Sequence, residues 1–206
     1  MLKIEKLNRI LLRVLKLAYL NFLWIGGTLI GLVIFGIGPA TLSVFSIIRE
    51  WVRGNDDLPV FKTFVLNYKT YYKKGLILSL VYGVVGIILV VDFAYVSRWE
   101  LRVFFGVMLF FYYLSLSYLL PIIVHYDLKT LKESIKYSFL IGFSYLQYTL
   151  VSLVVIVAIY IMVARLLPAL FTFFGFSVLF YILMGNANMV FNRIEESAKK
   201  EMELTN

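Results

Sequence analysis

From Leu17 to Ile48 the chain carries no charged residue. Three further runs are equally bare: Val103 to Val124, Tyr137 to Ala164 and Leu166 to Asn192. About 20 apolar residues in helical form cross a bilayer, and in lipid every backbone N–H and C=O has to be satisfied within the segment. Runs of this length restrict the chain to membrane-embedded helices. A fifth run, Gly75 to Val91, is shorter but continues past Asp92 to Ser97. Only 16% of the residues are charged, against about 25% in an average soluble domain. The expected fold is all-α: a polytopic transmembrane bundle of about six helices.

The first run poses a topological question. Its centre reads "GLVIFGIGPATLSVF" (Gly31 to Phe45), with Gly36, Gly38 and Pro39 in the middle. Proline inside a helix removes a hydrogen bond and clashes with the preceding turn, and Gly-Pro neighbours mark turns. The basic residues decide between one crossing and a reversal. Lys and Arg concentrate on the cytoplasmic side of membrane proteins. If the run crosses once, the better orientation leaves 12 of these residues inside and 8 outside; if the chain doubles back, the division is 17 to 3. The sequence therefore predicts an N-terminal helical hairpin, either two true spans or a deep re-entrant pair, covered by later helices around Gly36 to Pro39.

The expected layout follows. Residues 1–16 form a basic amphipathic cytoplasmic helix. Residues 17–206 form one transmembrane domain, with spans near 17–35, 40–52, 75–97, 102–124, 139–164 and 167–191. A cytoplasmic loop covers 53–74 and a cytoplasmic tail 192–206, so both termini face the cytosol. Pro168 falls in the first turn of the last span, where proline is tolerated, and Pro121 kinks or ends its own. A proline near a span end, then a short basic helix, then a new span occurs at both Pro59 and Pro121, which hints at a duplicated plan.

Lys3, Lys6, Arg9, Arg13 and Lys16 recur every three or four residues and draw one stripe on a helix. Such a stripe binds anionic lipid at about 1 kcal/mol per basic residue. In the 53–74 loop, Phe61, Phe64, Val65, Tyr68 and Tyr72 share helical spacing, with Lys62, Lys69 and Lys73 on other faces. This reads as a short interfacial helix resting on lipid or on a protein partner.

Chemistry-bearing sets are scarce. The chain has no cysteine and one histidine, so thiolate sites and two-His metal sites are excluded. No P-loop and no nucleophile elbow appears. No catalytic residue, metal or cofactor is expected. His125 beside Asp127 reads as an interfacial polar residue. Asp92 is the one charge inside a span, and its expected role is an ion pair with Arg98 or Arg102. Asn21, Gln147, Asn186 and Asn188 fall in different parts of the spans. They read as interhelical glue or, alternatively, as the lining of a polar cavity open to the cytosol. The net charge of +8 suits membrane flanks rather than nucleic acid.

Three segments resemble the YesL family of bacterial membrane proteins: "FGIGPATLSVFSIIREWVRG", "PVFKTFVLNYKTYYKKG" and "LPIIVHYDLKTLKESIKYSFLIG". They cover most of the chain in order and spacing. The Pro39-Ala40 step and the Arg49-x-Trp51-x-Arg53 ending are the most specific. The family is of unknown function, and the resemblance implies no catalytic residue. Its genes often lie beside sugar ABC importers and two-component regulators, which implies a non-enzymatic accessory role in carbohydrate uptake, with an importer or membrane sensor as partner. The alternative is a small transporter or channel with the amides along its path. ABC permeases dock their ATPase through E-A-A-x-x-x-G. Here "KESIKYSFLIG" has Tyr137 and Ser138 where the glycine is required, which speaks against that contact.

Because the chain lacks cysteine, single substitutions report topology directly. Cysteines replacing Glu5 and Asp56 are expected to react only from the cytosolic side, and those replacing Arg98 and Arg165 only from outside. Opposite labelling of positions 5 and 56 would exclude the hairpin.

Overall fold

The computed structural model describes residues 2–126, 128, 130–167 and 169–205, with side chains described between residues 11 and 203. The side chains of Lys3, Lys6 and Arg9, together with Asp127 and Pro168, lie outside the described residues. Among the described residues there are eight helices and no strand: α1 (Leu2–Ile30), α2 (Ile37–Val52), α3 (Val60–Thr70), α4 (Tyr72–Tyr95), α5 (Trp99–His125), α6 (Leu131–Ser144), α7 (Leu146–Leu166) and α8 (Leu170–Thr205). Four of them, α4, α5, α7 and α8, are long and apolar enough to cross a membrane. The molecule is a multi-pass helical membrane protein.

Eight helices rather than six have local causes. The interfacial segment of the 53–74 loop is a helix of its own, α3. The expected span over 139–164 is divided at Tyr145, whose φ of −118° and ψ of 38° leave the helical region. Upstream, Thr130 caps α6 by accepting the Glu133 N–H at 3.3 Å, which satisfies one orphan donor of the first turn. In contrast, α8 runs unbroken from the last span through the expected tail. Pro121 does not end α5, which continues to His125. The two interruptions match each other: α3 stops at Tyr71 and α6 at Tyr145, each a single residue ahead of a long helix.

The hairpin is present, and its turn lies earlier than the Gly-Pro step. The chain reverses over residues 31–36, and Ile37 is already helical. Pro39 therefore sits in the first turn of α2, where its missing N–H costs nothing. The residues with positive φ are Leu32 (53°) and Val33 (64°). Gly31 and Gly36 meet a different need, since a Cβ on Gly31 would collide with the Gly36 backbone. Every N–H from Gly31 to Ile37 finds a backbone acceptor, which is the condition for irregular backbone in lipid. For that reason Leu32 to Phe35 stay exposed without the helical cover expected for the whole break.

At the base of the hairpin, Arg13 Nη2 donates to Asp56 Oδ2 at 2.9 Å and Lys16 Nζ to the Asp56 carbonyl at 2.6 Å. The N-terminal basic stripe and the 53–59 loop thus lie side by side.

The hub of the molecule is α2. Gly38 to Phe45, Ile47, Ile48 and Trp51 are buried. A helix apolar on all faces has to be surrounded, and α2 packs against α1, α3, α4, α5 and α8. Phe45, Ile47 and Ile48 share one cluster with Leu20, Trp24, Phe64, Leu119 and Met184. At the N-terminal end the backbones touch: a Cβ on Gly38 would strike the Gly75 carbonyl, and one on Gly75 would strike Gly38 and Pro39. The hairpin tip is therefore level with the first turn of α4. From Gly75 to Tyr95, α4 continues for about 30 Å at helical rise. The tip of the pair thus lies beside the start of α4 and not beside its far end.

Gly38→Val and Gly75→Val are expected to destabilise the fold by about 2–3 kcal/mol or more, read as a lower melting temperature and loss of monodisperse protein in detergent. Gly83→Ala, with nothing within 4 Å of its Cβ, should melt as the unsubstituted chain does.

Candidate functional site

The α2 helix ends in the motif Arg49-x-Trp51-x-Arg53, and burial divides its members. Trp51 is 4% exposed and joins the core. Arg49 turns aside to Glu50 at 2.9 Å, and Arg53 reaches His125 on α5. His125 is nearly enclosed, its side chain 2% exposed. Its Nε2 lies 3.2 Å from Glu195 Oε1 on α8, and its Nδ1 3.5 Å from Arg53 Nη2. A tautomer with the proton on Nε2 donates to Glu195 and accepts from Arg53. The Phe191 and Tyr126 rings, each centred 4.5 Å away, close the site. This joint ties the ends of α2 and α5 to the extension of α8. Beside it, burial pushes the Tyr126 phenol above its ordinary pKa, with Glu195 adding to the rise. At the hairpin base, the hydrogen bond to Asp56 holds the Arg13 guanidinium above its own.

The second feature is α3, which faces two ways. Phe64 is 5% exposed and the Tyr68 hydroxyl donates to the Gly27 carbonyl at 3.1 Å. Both were expected on a lipid or partner surface. They turn inward because Gly27 leaves room for their rings, its absent Cβ being replaced by contact with both. Asn67 donates to Ser46 of α2 at 3.0 Å. The outward face keeps Phe61 (57% exposed), Leu66 (65%) and Val65 (37%), with Lys62, Lys69 and Lys73 also exposed. Of the N-terminal stripe, Arg13 and Lys16 are engaged with Asp56 as described.

The four amides do not meet. Asn21 is buried and inserts into the backbone ladder of α8: its Nδ2 donates to the Thr172 carbonyl at 2.9 Å, and its Oδ1 accepts from Phe176 and Ser177 N–H at 3.1 and 3.2 Å. A side chain in the i→i−4 ladder is a recognised site of helix bending. Asn186 is buried and bonds the Tyr118 hydroxyl, which also accepts from Thr149 at 3.4 Å. Asn188 is half-buried, and Gln147 is exposed on α7. No cavity described here is lined by any of the four.

Among the described residues no ion pair joins Asp92 to either arginine. Arg102 donates instead to the Val96 carbonyl at 2.9 Å, because the end of α4 leaves carbonyls unpaired and a guanidinium is drawn to them. One polar set has no counterpart in the sequence reading: Tyr82 on α4, Ser115 on α5 and Ser138 on α6 follow one another at 2.8 and 3.1 Å. Single hydroxyl residues in apolar runs carry no spacing signal, so this chain of contacts emerges only from the packing.

The geometry is a packed interior with a basic and aromatic edge. Comparison with known proteins places it among relatives. YteU of Bacillus subtilis (strain 168), an uncharacterized protein, is 37% identical over 188 residues, covering 89% of this chain and 84% of its own. YesL of the same organism, also uncharacterized, is 34% identical over 199 residues, covering 95% and 94%. The chain belongs to the YesL family. Residues 17–93 match the family description "Protein of unknown function, DUF624". A third YesL-family relative from that organism, YesV, is 33% identical over 135 residues. No solved structure matches.

Asn21→Leu should leave three backbone groups of α8 unpaired and cost about 1–3 kcal/mol. Asn188→Leu is expected to cost under about 1 kcal/mol. Melting temperatures in one detergent compare the two directly.

Proposed function

We propose that this YesL-family protein is a non-enzymatic accessory component of a carbohydrate uptake system in the cytoplasmic membrane. Both termini face the cytosol, and the outward face of α3 meets a membrane subunit of an importer or a sensor. The observation that carries this reading is the division of α3. Its inner face is used up on Gly27 and Ser46, while Phe61, Val65 and Leu66 remain exposed beside Lys62, Lys69 and Lys73. Large apolar side chains rimmed by cations are the composition of a docking face. The kind of partner comes from the family resemblance and its implied gene neighbourhood. In the same reading the basic stripe of α1 holds that edge against anionic lipid. The dispersal of the amides gives the transporter alternative no path to build on.

The test is crosslinking in the host membrane from a photoreactive residue placed at Leu66, followed by purification. Recovery of an importer's membrane subunit is expected. With the photoreactive residue kept at Leu66, Phe61→Ala combined with Val65→Ala should cut that recovery at least about tenfold, since each truncation removes about 1.5–3 kcal/mol of burial. Recovery of no importer or sensor component, or carbohydrate uptake unchanged on deletion of the protein, would overturn the proposal.

A further inference from the structure

Trp51, the centre of the Arg49-x-Trp51-x-Arg53 motif, has no use in the docking reading. It lines a cleft of about 170 Å³ between α1, α2 and α8, whose walls are Arg13, Val14, Leu17, Trp51 and Tyr181. We infer that this cleft at the base of the hairpin is a binding site for the phosphodiester headgroup of an anionic phospholipid.

Three independent observations converge there. The first is a buried donor without an acceptor. Trp51 is 4% exposed, and its Nε1–H has no hydrogen-bond partner. A buried N–H left unmade costs free energy, and the great majority in native proteins are paired. The second is charge. Arg13 and Lys16 face a single carboxylate, Asp56, and Lys16 reaches the Asp56 backbone carbonyl rather than its side chain. Glu50 is taken by Arg49. Lys16 is bonded to a carbonyl and not to a carboxylate, which leaves the rim of the cleft basic, the complement of a phosphodiester. The Arg13 side chain is half exposed, and a guanidinium has donors to spare beyond the one given to Asp56.

The third observation selects a lipid over a free phosphate. Apart from Arg13, the walls are Val14, Leu17 and the Trp51 and Tyr181 rings, and the neighbouring turn of α1 exposes Leu11 and Leu15 (53% and 65%). Such a surface has nothing to offer a hydrated inorganic anion. It suits the glycerol and upper acyl carbons below a headgroup. Bound there, the lipid would brace α1 and α2 against α8 whichever protein α3 meets.

The test is native mass spectrometry of the whole protein released from mixed micelles holding equal phosphatidylglycerol and phosphatidylcholine. The protein is expected to retain one phosphatidylglycerol with about tenfold preference, the scale of one charge-assisted hydrogen bond. Arg13→Gln, at the exposed rim, should abolish the preference, and Trp51→Phe should weaken it while keeping the ring. Arg165→Gln at the end of α7 should leave it unchanged. Size-exclusion profiles confirm folding, and if Trp51→Phe fails there, Arg13→Gln still decides the outcome. Equal retention of the two lipids, or a preference intact in Arg13→Gln, would overturn the site. Displacement of the lipid by millimolar inorganic phosphate would overturn its assignment to a lipid.

Discussion

Gly38 and Gly75 bring two backbones into direct contact, and the placing of the N-terminal third follows from it. Because neither residue has a Cβ, the first turn of α2 rests on the first turn of α4. That contact sets the hairpin tip at the near end of the span. Around it, α1, α3, α5 and α8 cover most of the surface of α2. A side chain at either position would separate the helices, and the buried faces of Leu42, Phe45 and Ile48 would lose their partners. Close approach of this kind is how helices associate in lipid, where apolar burial between them brings little gain.

The same constraint, that lipid offers no hydrogen bonds, explains how the irregular parts survive. The turn over 31–36 satisfies its own N–H groups, so its apolar side chains face outward without penalty. Elsewhere polar side chains do the bonding: Asn21 occupies the ladder of α8, and the Tyr118 hydroxyl gathers Thr149 and Asn186 from α7 and α8. Each is a cross-link between helices distant in sequence. Tyr82, Ser115 and Ser138 join α4, α5 and α6 in the same way. The unmatched Trp51 donor stands apart from that pattern, and Trp51 borders the cleft at the hairpin base together with Arg13.

Much of the architecture was legible in the chain. Charge-free runs located the four long helices, and the excess of basic residues in both flanks of the first run indicated a reversal, now visible in the Arg13–Asp56 pair. The interfacial helix α3 was legible from the spacing of Phe61, Phe64 and Tyr68. What misled was the punctuation. Gly38 and Pro39 read as the turn, yet they belong to α2, since glycine serves close packing as readily as it serves reversal. Tyr145, an ordinary residue in an apolar run, breaks a helix that nothing local interrupts. Asp92 and Arg102 read as a pair because charges in apolar surroundings attract, but the open end of α4 competes for the guanidinium.

The division of labour is physical. Length and charge are one-dimensional quantities, and lipid acts on them directly. The sequence by itself therefore determined that the chain is a membrane-embedded helical bundle and that its cations gather at particular segments. Contacts between segments far apart in the chain have no such local signature. Which face of α3 turns inward, where Asn21 finds its partners, and that Arg13, Trp51 and Tyr181 border one cleft depend on how helices settle around α2. Only the tertiary structure decided these, because side-chain shape and the missing Cβ atoms of two glycines act only once the helices meet.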